Sequence, residues 1–582
     1  MSDKYIIDFI SGMEIKAKPE EIDSVQVFSK QLVEDYNYPK NCIQTRPQFR
    51  VKVRPSDKKK EYPIDIAIFE THKKNENEIK IIVECKKKNI KDGISQLQDY
   101  LRFSTSELGV WFNGKERVFL RKIEKKGKIY FEKIPNIPKY GETIEDIGNK
   151  KRRDLKPTHN LRSTFKAIRN HLAANTVGAT RDEVLAQQLI NLIFCKIYDE
   201  RFTEPDDTVK FRASIQEDPD KIKKRIDALF SEVKRKYRDV LNDEDNISLD
   251  PNSLIYVIGE LQDYCLIDVE RDIISDAFEV FIGHALKGEQ GQFFTPRNVT
   301  KMIIEILNPS EDDLIIDPAC GTGGFLVEAL RYVWEKLDSD GKKLRWSQSN
   351  LHEEKMNYAL KQIKGIDKDY FLSKVTKAYM AIIGDGKSGV YCDDSLEVPK
   401  NFKQKTKNDI SLDQFDVLIT NPPFGSKIPV RGEEKLSQFE LGHAFSFKDE
   451  TWQKGKLKEK EAPQILFIER CIQLLKEGGR MGIVLPDGIL GNDRMGYIRE
   501  YIQSNAKLLA IIDLPKEAFM PNTPTKTSVI ILEKNKNKKK DYSVFMAIAE
   551  TCGHDRRGNK LEDDDISQIS SKFKDWYKKN KT

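Results

Sequence analysis

The run Asp416–Phe424 joins an apolar stretch to side chains that could hold a nucleobase. The apolar residues are typical of a β-strand, which must end at Pro422 because proline has no N–H to donate to a sheet. In open α/β sheets, ligands bind at the carboxyl ends of strands. There the Asn421 side-chain oxygen and the Pro422 carbonyl could accept two N–H bonds, and Phe424 offers a stacking ring. The motif suits a flat base with an exocyclic amine, although an ordinary proline turn explains it equally well.

A glycine-rich motif lies upstream, at Asp317–Gly324. It follows a short apolar strand predicted over Asp313–Ile316 and precedes a helix predicted to begin at Phe325. Gly321 and Gly323 would let the backbone approach a ligand closely, since glycine has no Cβ. A glycine loop between a strand and a helix is typical of nucleotide binding, so the motif predicts a cofactor loop.

Carboxylates follow the next two predicted strands. Asp367 ends the first strand and can hold ribose hydroxyls, as acids do at this position in nucleotide-binding folds. Asp394 ends the second and offers a carboxylate to an adenine amine, with Asp393 as the competing choice. Thr295 is predicted to cap a further helix, with Pro296 in its first turn. Free backbone N–H groups at that helix start would suit a carboxylate ligand.

Two predicted neighbouring strands near the amino end carry a second set of reactive side chains. Asp65 lies on the first strand, and Glu84 and Lys86 share one face of the second because side chains alternate along a strand. Two carboxylates can hold Mg²⁺, and an ammonium can stabilise charge on a scissile phosphate. Glu34 on the preceding helix is a further candidate ligand. A solvated strand face explains the pattern about as well in a chain so rich in Lys and Glu.

The stretch Ala381–Ser388 satisfies a permissive P-loop pattern that includes Lys387. A P-loop follows a strand and opens a helix, whereas this stretch trails a predicted helix over Tyr370–Ile383 and precedes a strand. We therefore interpret the pattern as a chance match. A nucleoside-triphosphatase that depends on Lys387 is the alternative from another functional class.

The composition is that of a multidomain chain without a membrane segment. The 582 residues exceed one ordinary core, since single domains usually hold about 100–200 residues. A net charge of +6 is compatible with nucleic acid but does not prove it. The eight cysteines are scattered without metal-type spacing, which predicts reduced thiols and a cytoplasmic location. No apolar run approaches the ~18 residues of a membrane span.

Several motifs occur in an order that carries more information than any one of them. They are Gly291–Pro296, Asp317–Gly324, Asp367, Asp393–Leu396, Asn421–Phe424, Leu474–Arg480, Gly482–Pro486, Ile511–Pro515 and Gly553–Gly558. In this order they resemble the N6-adenine DNA methyltransferases, specifically the modification subunits of type I restriction–modification systems. The resemblance extends over about 161–558.

This resemblance implies S-adenosyl-L-methionine as the cofactor and an adenine flipped out of DNA as the target. Asp317 would lie beside the methionine part, Asp367 would bind the ribose and Asp394 the cofactor adenine. The family often has Glu at the ribose position, so Asp367 is a mild departure. The implied cofactor-binding residues are Thr295, Pro296, Asp317, Ala319, Gly321, Gly323, Asp367 and Asp394. The implied catalytic residues are Asn421, Pro422, Pro423 and Phe424.

The segment Val25–Phe119 resembles the N-terminal endonuclease domain of type I restriction subunits, of the PD-(D/E)xK class. The similarity includes Gln96 and Tyr100 on a following helix. It implies Mg²⁺-dependent DNA cleavage, with Asp65 and Glu84 as metal ligands and Lys86 as a catalytic residue. The alternative is a module that binds DNA or assembles the complex without cleaving. A nuclease joined to a type I-like methyltransferase resembles type IIB and type IIG restriction enzymes.

The expected fold is a multidomain α/β protein. It comprises a restriction-endonuclease-like α/β domain, a central helical domain and a C-terminal Rossmann-like methyltransferase that depends on S-adenosylmethionine. The predicted divisions are a nuclease-like domain over 1–140, a linker over 141–160, a helical domain over 161–288, a methyltransferase domain over 289–560 and a C-terminal helix or tail over 561–582.

The expected partners are double-stranded DNA and a separate specificity subunit. Too few residues follow the strand that ends at Leu532 for a base-reading domain, so recognition of the site is assigned to another chain. A homodimer within a larger complex is a further expectation. The long polar segment Gly425–Pro463 is predicted as a mobile loop on the DNA side.

Overall fold

The computed structural model divides the chain into two compact units. One comprises Met1–Lys236 with Asp243–Ala285, and the other comprises Tyr237–Asn242 with Leu286–Thr582. The structure describes residues 5–52, 61–88, 90, 92–157, 161–176, 182–238, 241–267, 295–383, 389–425, 428–521, 523–535 and 541–580. The P-loop-like stretch around Lys387 and the motif residues 291–294 lie outside these ranges. Among the described helices, none is long and apolar enough to cross a membrane.

The first unit combines a mixed sheet with helices. Its strands are β1 Tyr5–Ile7, β2 Glu14–Lys16, β3 Ile43–Gln44, β4 Arg50–Val51, β5 Tyr62–Pro63, β6 Ile66–Phe69, β7 Ile79–Cys85, β8 Leu108–Phe112, β9 Arg117–Lys125 and β10 Lys128–Ile134. Its helices are α1 Gln26–Glu34, α2 Ile94–Arg102, α3 Leu161–Asn175, α4 Asp182–Phe202, α5 Pro219–Lys236 and α6 Pro251–Leu261.

In the described part of this unit, six strands pair in the order β10-β9-β8-β7-β6-β3. Strand β7 runs parallel to β8 and antiparallel to β6. Alternation along β7 sends Val83 to the face covered by Phe28 of α1, and Ile82 to the face covered by Leu97 of α2. Because β7 is apolar on both faces, it forms the centre of the core and holds its C-terminal residues in fixed positions.

Residues 141–157, which the sequence predicts as part of a linker, pack within the first unit. Lys151 forms a β-bridge with Thr208, and Lys156 forms one with Tyr264. Leu155 is buried. The predicted nuclease-like and helical regions accordingly fall in the same compact unit.

The second unit contains a larger sheet. Its strands are β11 Ile315–Asp317, β12 Ile363–Asp367, β13 Gly389–Cys392, β14 Phe415–Thr420, β15 Val430–Arg431, β16 His443–Lys448, β17 Thr451–Leu457, β18 Lys460–Glu461, β19 Leu475–Pro486, β20 Ala506–Asp513, β21 Thr527–Lys534 and β22 Phe545–Ile548. Its helices are α7 Arg297–Leu307, α8 Gly324–Leu344, α9 Gln348–Lys361, α10 Tyr370–Ile383, α11 Gln404–Asp409, α12 Glu433–Ser437, α13 Pro463–Leu474, α14 Gly488–Gly491, α15 Gly496–Asn505 and α16 Ile566–Asn580.

Eight strands of the described second unit pair in the order β13-β12-β11-β14-β19-β21-β20-β22. Strand β21 is antiparallel to both of its neighbours, whereas β11 to β14 are parallel to one another where they pair. The chain leaves β11 toward β12 and β13 and later returns to β14 on its other side. Ligands bind at such a switch point, beyond the carboxyl ends of the strands.

Within residues 428–461, four short strands form two small antiparallel pairs. Strand β15 pairs with β18, and β16 pairs with β17. Phe445 stacks on Tyr497 with 4.7 Å between ring centroids, and Trp452 meets the same ring edge-on at 5.7 Å. These partly buried aromatic contacts connect the hairpin to Tyr497, while movement of the segment on the DNA side stays a prediction.

Candidate functional site

Asn421 lies immediately after β14, at the switch point of the larger sheet. Its Nδ2 donates to Thr295 Oγ1 at 3.0 Å, which fixes the orientation of the amide. Its Oδ1 is buried and has no hydrogen-bond partner among the described residues. A buried acceptor without a donor costs roughly 1–3 kcal/mol, so this oxygen is a strong candidate contact for a ligand N–H.

Thr295 links two motifs that are far apart in the sequence. It is not the helix cap that the sequence predicts, because α7 begins at Arg297 and Pro296 occupies the cap position without a side-chain cap bond. Pro296 also lies outside the first helical turn, because its ψ of 140° is not helical. The Thr295 hydroxyl is therefore free of capping and binds Asn421 instead.

Pro422, Pro423 and Phe424 continue from Asn421 without regular secondary structure. Pro422 is buried, whereas Pro423 and Phe424 are partly exposed. The backbone N–H of Gly425 donates to Gln464 Oε1 at 3.2 Å. The aromatic ring is thus accessible beside a main chain that two prolines stiffen.

The glycine loop connects β11 to α8. Gly321 and Gly323 have φ of +53° and +85°, a region that other L-residues rarely adopt. The Thr376 hydroxyl of α10 donates to the Gly321 carbonyl at 2.6 Å. A Cβ on Gly321 or on Gly324 would meet no described atom within 4 Å, so this side of the loop is open to a ligand.

Substituting Gly323 with Ala should destabilise the loop by roughly 1–3 kcal/mol. The backbone would keep a positive φ, and the new Cβ would lie 2.6 Å from Thr376 Cγ2. Thermal unfolding should show a lower Tm, with weaker binding of S-adenosyl-L-homocysteine. Gly324→Ala is the matched control, since its Cβ has open space and no positive φ, and it should keep the Tm of the native chain. Equal Tm values for all three proteins would contradict this account.

Asp317 braces the loop against the strand that carries Asn421. Its Oδ1 accepts hydrogen bonds from the Ala319 N–H at 3.0 Å and from the Thr420 hydroxyl at 2.7 Å. The side chain is buried, and burial raises its pKa to about 7. Asp317 therefore joins the glycine loop, at Ala319, to Thr420, the residue before Asn421.

Asp367 joins the end of β12 to the same loop. Its Oδ2 accepts from the Gly321 N–H at 2.9 Å, and its Oδ1 accepts from the Asp369 N–H at 2.9 Å. Burial raises its pKa to about 6. The carboxylate lies one strand away from Asp317 in the sheet, as expected for an acid that binds a ribose.

Asp394 follows β13, and its carboxylate is held on both oxygens. Oδ1 accepts from the Leu396 N–H at 3.0 Å, and Oδ2 pairs with Lys435 at 2.5 Å. The competing Asp393 accepts from two backbone N–H groups, those of Asp394 and Lys403. Asp393 thus stabilises the turn, whereas Asp394 is held by a side chain that the sequence did not single out.

In the first unit, Asp65, Glu84 and Lys86 lie together. Asp65 Oδ2 accepts from the Cys85 N–H at 2.7 Å, and Lys86 forms an ion pair with the buried Glu84. Lys86 Nζ also donates to Gln96 Oε1 at 3.2 Å. The predicted adjacency of these three side chains is confirmed in this geometry.

The charged groups of this cluster affect one another's pKa values. Burial raises the pKa of Asp65, and the neighbouring Glu84 raises it further. Burial also raises the pKa of Glu84. Burial opposes the charge on Lys86, but its bond to Glu84 outweighs this effect and its pKa is raised. A divalent cation would relieve the repulsion between the two carboxylates.

The third acid near this cluster is Glu20 rather than the predicted Glu34. The charge of Glu20 raises the pKa of both Asp65 and Glu84. Glu34 is exposed near the end of α1. Within the described residues, no group of three or more His, Cys, Asp or Glu side chains has the geometry of a metal site. The cluster therefore offers a pair of carboxylates at most.

Comparison with known families decides the class of the second unit. Residues 269–582, more than half of the chain, match the family described as N-6 DNA Methylase. The chain belongs to the N-6 DNA methylase family. Residues 19–138 of the chain match a different family, described as the N terminus of the type I restriction enzyme R protein.

Known relatives of this chain include proteins named as parts of restriction enzymes. The type I restriction enzyme EcoEI methylase subunit of Escherichia coli is 29% identical over 279 residues, covering 46% of this chain and 48% of the relative. The type II restriction enzyme and methyltransferase RM.Eco57I of Escherichia coli is 24% identical over 463 residues, covering 66% and 43%. The chain spans about half the length of these curated relatives.

One solved structure that matches part of the chain is a protein of Streptococcus thermophilus. This type I restriction-modification methyltransferase subunit is 17% identical, with a TM-score of 0.49, over 72% of this chain and 94% of that chain.

Proposed function

We propose that this chain transfers the methyl group of S-adenosylmethionine to N6 of an adenine flipped out of double-stranded DNA. One observation carries the proposal: the buried Oδ1 of Asn421 lacks a partner among the described residues, and β14, which precedes it, pairs with the strand that leads into the glycine loop. Membership of the N-6 DNA methylase family supports the same reaction.

The chemistry depends on how the target amine is held. The lone pair of adenine N6 is delocalised into the ring, so the free amine is a poor nucleophile. Asn421 Oδ1 and the Pro422 carbonyl would accept its two N–H bonds, which localises the lone pair and directs it at the methyl group. Phe424 would stack on the flipped base, a contact worth ~1–3 kcal/mol. No general base is needed before transfer.

The residues at the strand ends fit the proposed cofactor. The open side of the glycine loop at Gly321 would admit the methionine part. By the family resemblance, Thr295 and Pro296 would lie near its carboxylate. Asp367 offers oxygens to ribose hydroxyls, and Asp394 offers them to the adenine amine. S-adenosylmethionine would supply an electrophilic methyl group on a sulfonium. The protein's contribution is to orient donor and acceptor, so catalysis rests on positioning and electrostatics.

The proposed partners follow from the relatives, which are named as methylase subunits of type I restriction enzymes. We propose that a separate specificity subunit recognises the DNA sequence. Two copies of this chain would form a homodimer within a larger complex on DNA.

Sequencing of modified bases tests the proposal directly. The chain would be expressed with the products of neighbouring genes in cells without other DNA methylases. We expect N6-methyladenine at one recurrent sequence, and none when the chain is omitted. Another modified base, or unmodified DNA, would refute the assignment.

The second candidate function is DNA cleavage by the first unit. The observation that favours it is the cluster of Asp65, Glu84 and Lys86, with Gln96 bonded to the ammonium. Two carboxylates suffice for Mg²⁺, which keeps several waters and takes phosphate oxygens as further ligands. Lys86 would then stabilise charge on the scissile phosphate. The alternative is a module for assembly or DNA binding, which agrees equally with the match over residues 19–138.

A further inference from the structure

Lys435 forms ion pairs with two acids that follow β13. Its Nζ lies 2.5 Å from Asp394 Oδ2 and 3.4 Å from Glu397 Oε2. Only 18% of the lysine side chain is exposed, so the pairs are partly shielded from solvent. Lys435 belongs to α12, which follows the Asn421 motif in the chain. A cation from the segment after the base pocket thus reaches the acid expected at the cofactor adenine.

The helix that carries Lys435 is clamped to the loop that carries Asp394. Gln438 Nε2 donates to the Leu396 carbonyl at 2.9 Å and to the Lys435 carbonyl at 3.0 Å. Arg470 Nη2 donates to the Glu397 carbonyl at 3.1 Å and also to Gln438 Oε1. These bonds join α12, the loop after β13 and α13.

Apolar packing fixes the same clamp from below. Leu436 lies two residues before Gln438 and Phe439 lies directly after it, and both are buried in the core of the second unit. Arg470 is itself buried, and its guanidinium carbon lies 4.9 Å from the centre of the Phe439 ring. The backbone of α12 is therefore fixed by packing, and the Lys435 side chain is held in one position by its ion pairs.

A neighbouring ion pair provides the contrast. Lys400 pairs with Glu434 of the same helix at 2.8 Å, but these side chains are 70% and 62% exposed. Exposed pairs of this kind contribute little because solvent screens them and both side chains lose freedom. Lys435 differs in burial, in its two acid partners and in the clamp around it.

We infer that Lys435 is a positioning residue that sets the selectivity of the site for a 6-amino purine in the cofactor. The inference rests on the proposed function, in which Asp394 accepts the adenine amine. With Oδ1 held by the Leu396 N–H and Oδ2 by Lys435, the plane of the carboxylate is fixed. Each oxygen keeps a lone pair for a further donor. A carboxylate in this orientation accepts an N–H bond from an amine and repels the oxygen of a 6-oxo purine.

Loss of Lys435 should weaken this discrimination. Without the ammonium, the Asp394 side chain can rotate toward solvent, and its lone pairs no longer point in one direction. The contact to the cofactor amine is a hydrogen bond to a charged group, whose loss corresponds to about a tenfold change in affinity. The effect should fall on the amine and spare contacts to the ribose and the methionine part.

Calorimetric titration of the full chain tests the inference with two probes, S-adenosyl-L-homocysteine and its 6-oxo analogue S-inosyl-L-homocysteine. We expect the native chain to prefer the amino compound. Lys435→Met should bind that compound about tenfold more weakly and lose most of the preference. Lys435→Arg should restore much of it. Lys400→Met is the matched control and should behave like the native chain. Glu397→Gln removes the second acid that pairs with Lys435 and should cause a smaller loss of the preference. This variant replaces Lys435→Met as the test if that variant fails to fold.

The outcomes separate the inference from the proposed function. An unchanged preference in Lys435→Met, or an equal loss of affinity for both compounds, would overturn the role of Lys435. If Asp394→Asn lost the preference while Lys435→Met kept it, the role of Lys435 would be overturned and the proposed function would remain. Failure of the native chain to bind either compound would overturn the proposed function together with the inference.

Discussion

Replacing Asn421 with Ala is expected to slow methyl transfer by about 10²–10³-fold, the usual cost of removing one preorganised hydrogen-bonding group from a reacting centre. The substitution deletes both the bond to Thr295 and the Oδ1 atom, which has no partner among the described residues. The amine of the target would lose one of its two acceptors and with it the direction of its lone pair. Cofactor affinity should change little, because the glycine loop and its carboxylates are held by other contacts.

Single-turnover transfer of a labelled methyl group to DNA, with the specificity partner present, measures this rate. Binding of S-adenosyl-L-homocysteine is measured on the same protein. Asn505→Ala is the matched control, because the one bond of its amide to another described residue is to the Tyr501 carbonyl within its own helix. The assignment of Asn421 would be wrong if the Ala variant transferred methyl groups at the rate of the control.

Replacing Lys86 with Ala should reduce Mg²⁺-dependent DNA cleavage by about 10²–10³-fold if the first unit is a nuclease. The change removes the ammonium that pairs with the buried Glu84, next to the carboxylate of Asp65. Charge on the scissile phosphate would then lack its compensating cation. Methylation should persist, because Lys86 belongs to the first unit and Asn421 to the second.

Cleavage of plasmid DNA by the complex, followed over time with and without Mg²⁺, measures this effect. Lys88→Ala is the matched control, since Lys88 lies two residues further on and makes an exposed pair with Asp23. Absence of cleavage by the native complex would reject the nuclease and leave the assembly module. In that case, deletion or mutation of the first unit should weaken binding of the specificity partner instead.

Local patterns carried most of the information about the second unit. The strand that stops at Pro422 is predictable because proline lacks an N–H, and β14 indeed ends at Thr420. The glycine loop is predictable because glycine adopts the positive φ found at Gly321 and Gly323 far more readily than other residues do. These features depend on neighbours within a few residues, so a single sequence contains them.

Contacts between distant segments escaped the sequence. Thr295 and Asn421 are 126 positions apart, and nothing local distinguishes a threonine that caps a helix from one that binds an amide. Lys435 and Lys400 look alike in a lysine-rich chain, yet one is shielded by a clamp and the other is exposed. Glu20 and Glu34 likewise differ only in which of them the fold brings near Asp65.

Residue types alone were enough to predict the order of the chemical motifs, the end of the strand before Asn421 and the position of the glycine loop. The backbone preferences of proline and glycine act over a few bonds, so they can be read from residue type. The fold was needed to show that Asn421 Oδ1 is buried without a described partner and that Thr295 binds its amide. It also decided that Lys435 holds Asp394. Burial and pairing depend on what the folded chain brings together, and residue type alone does not encode that.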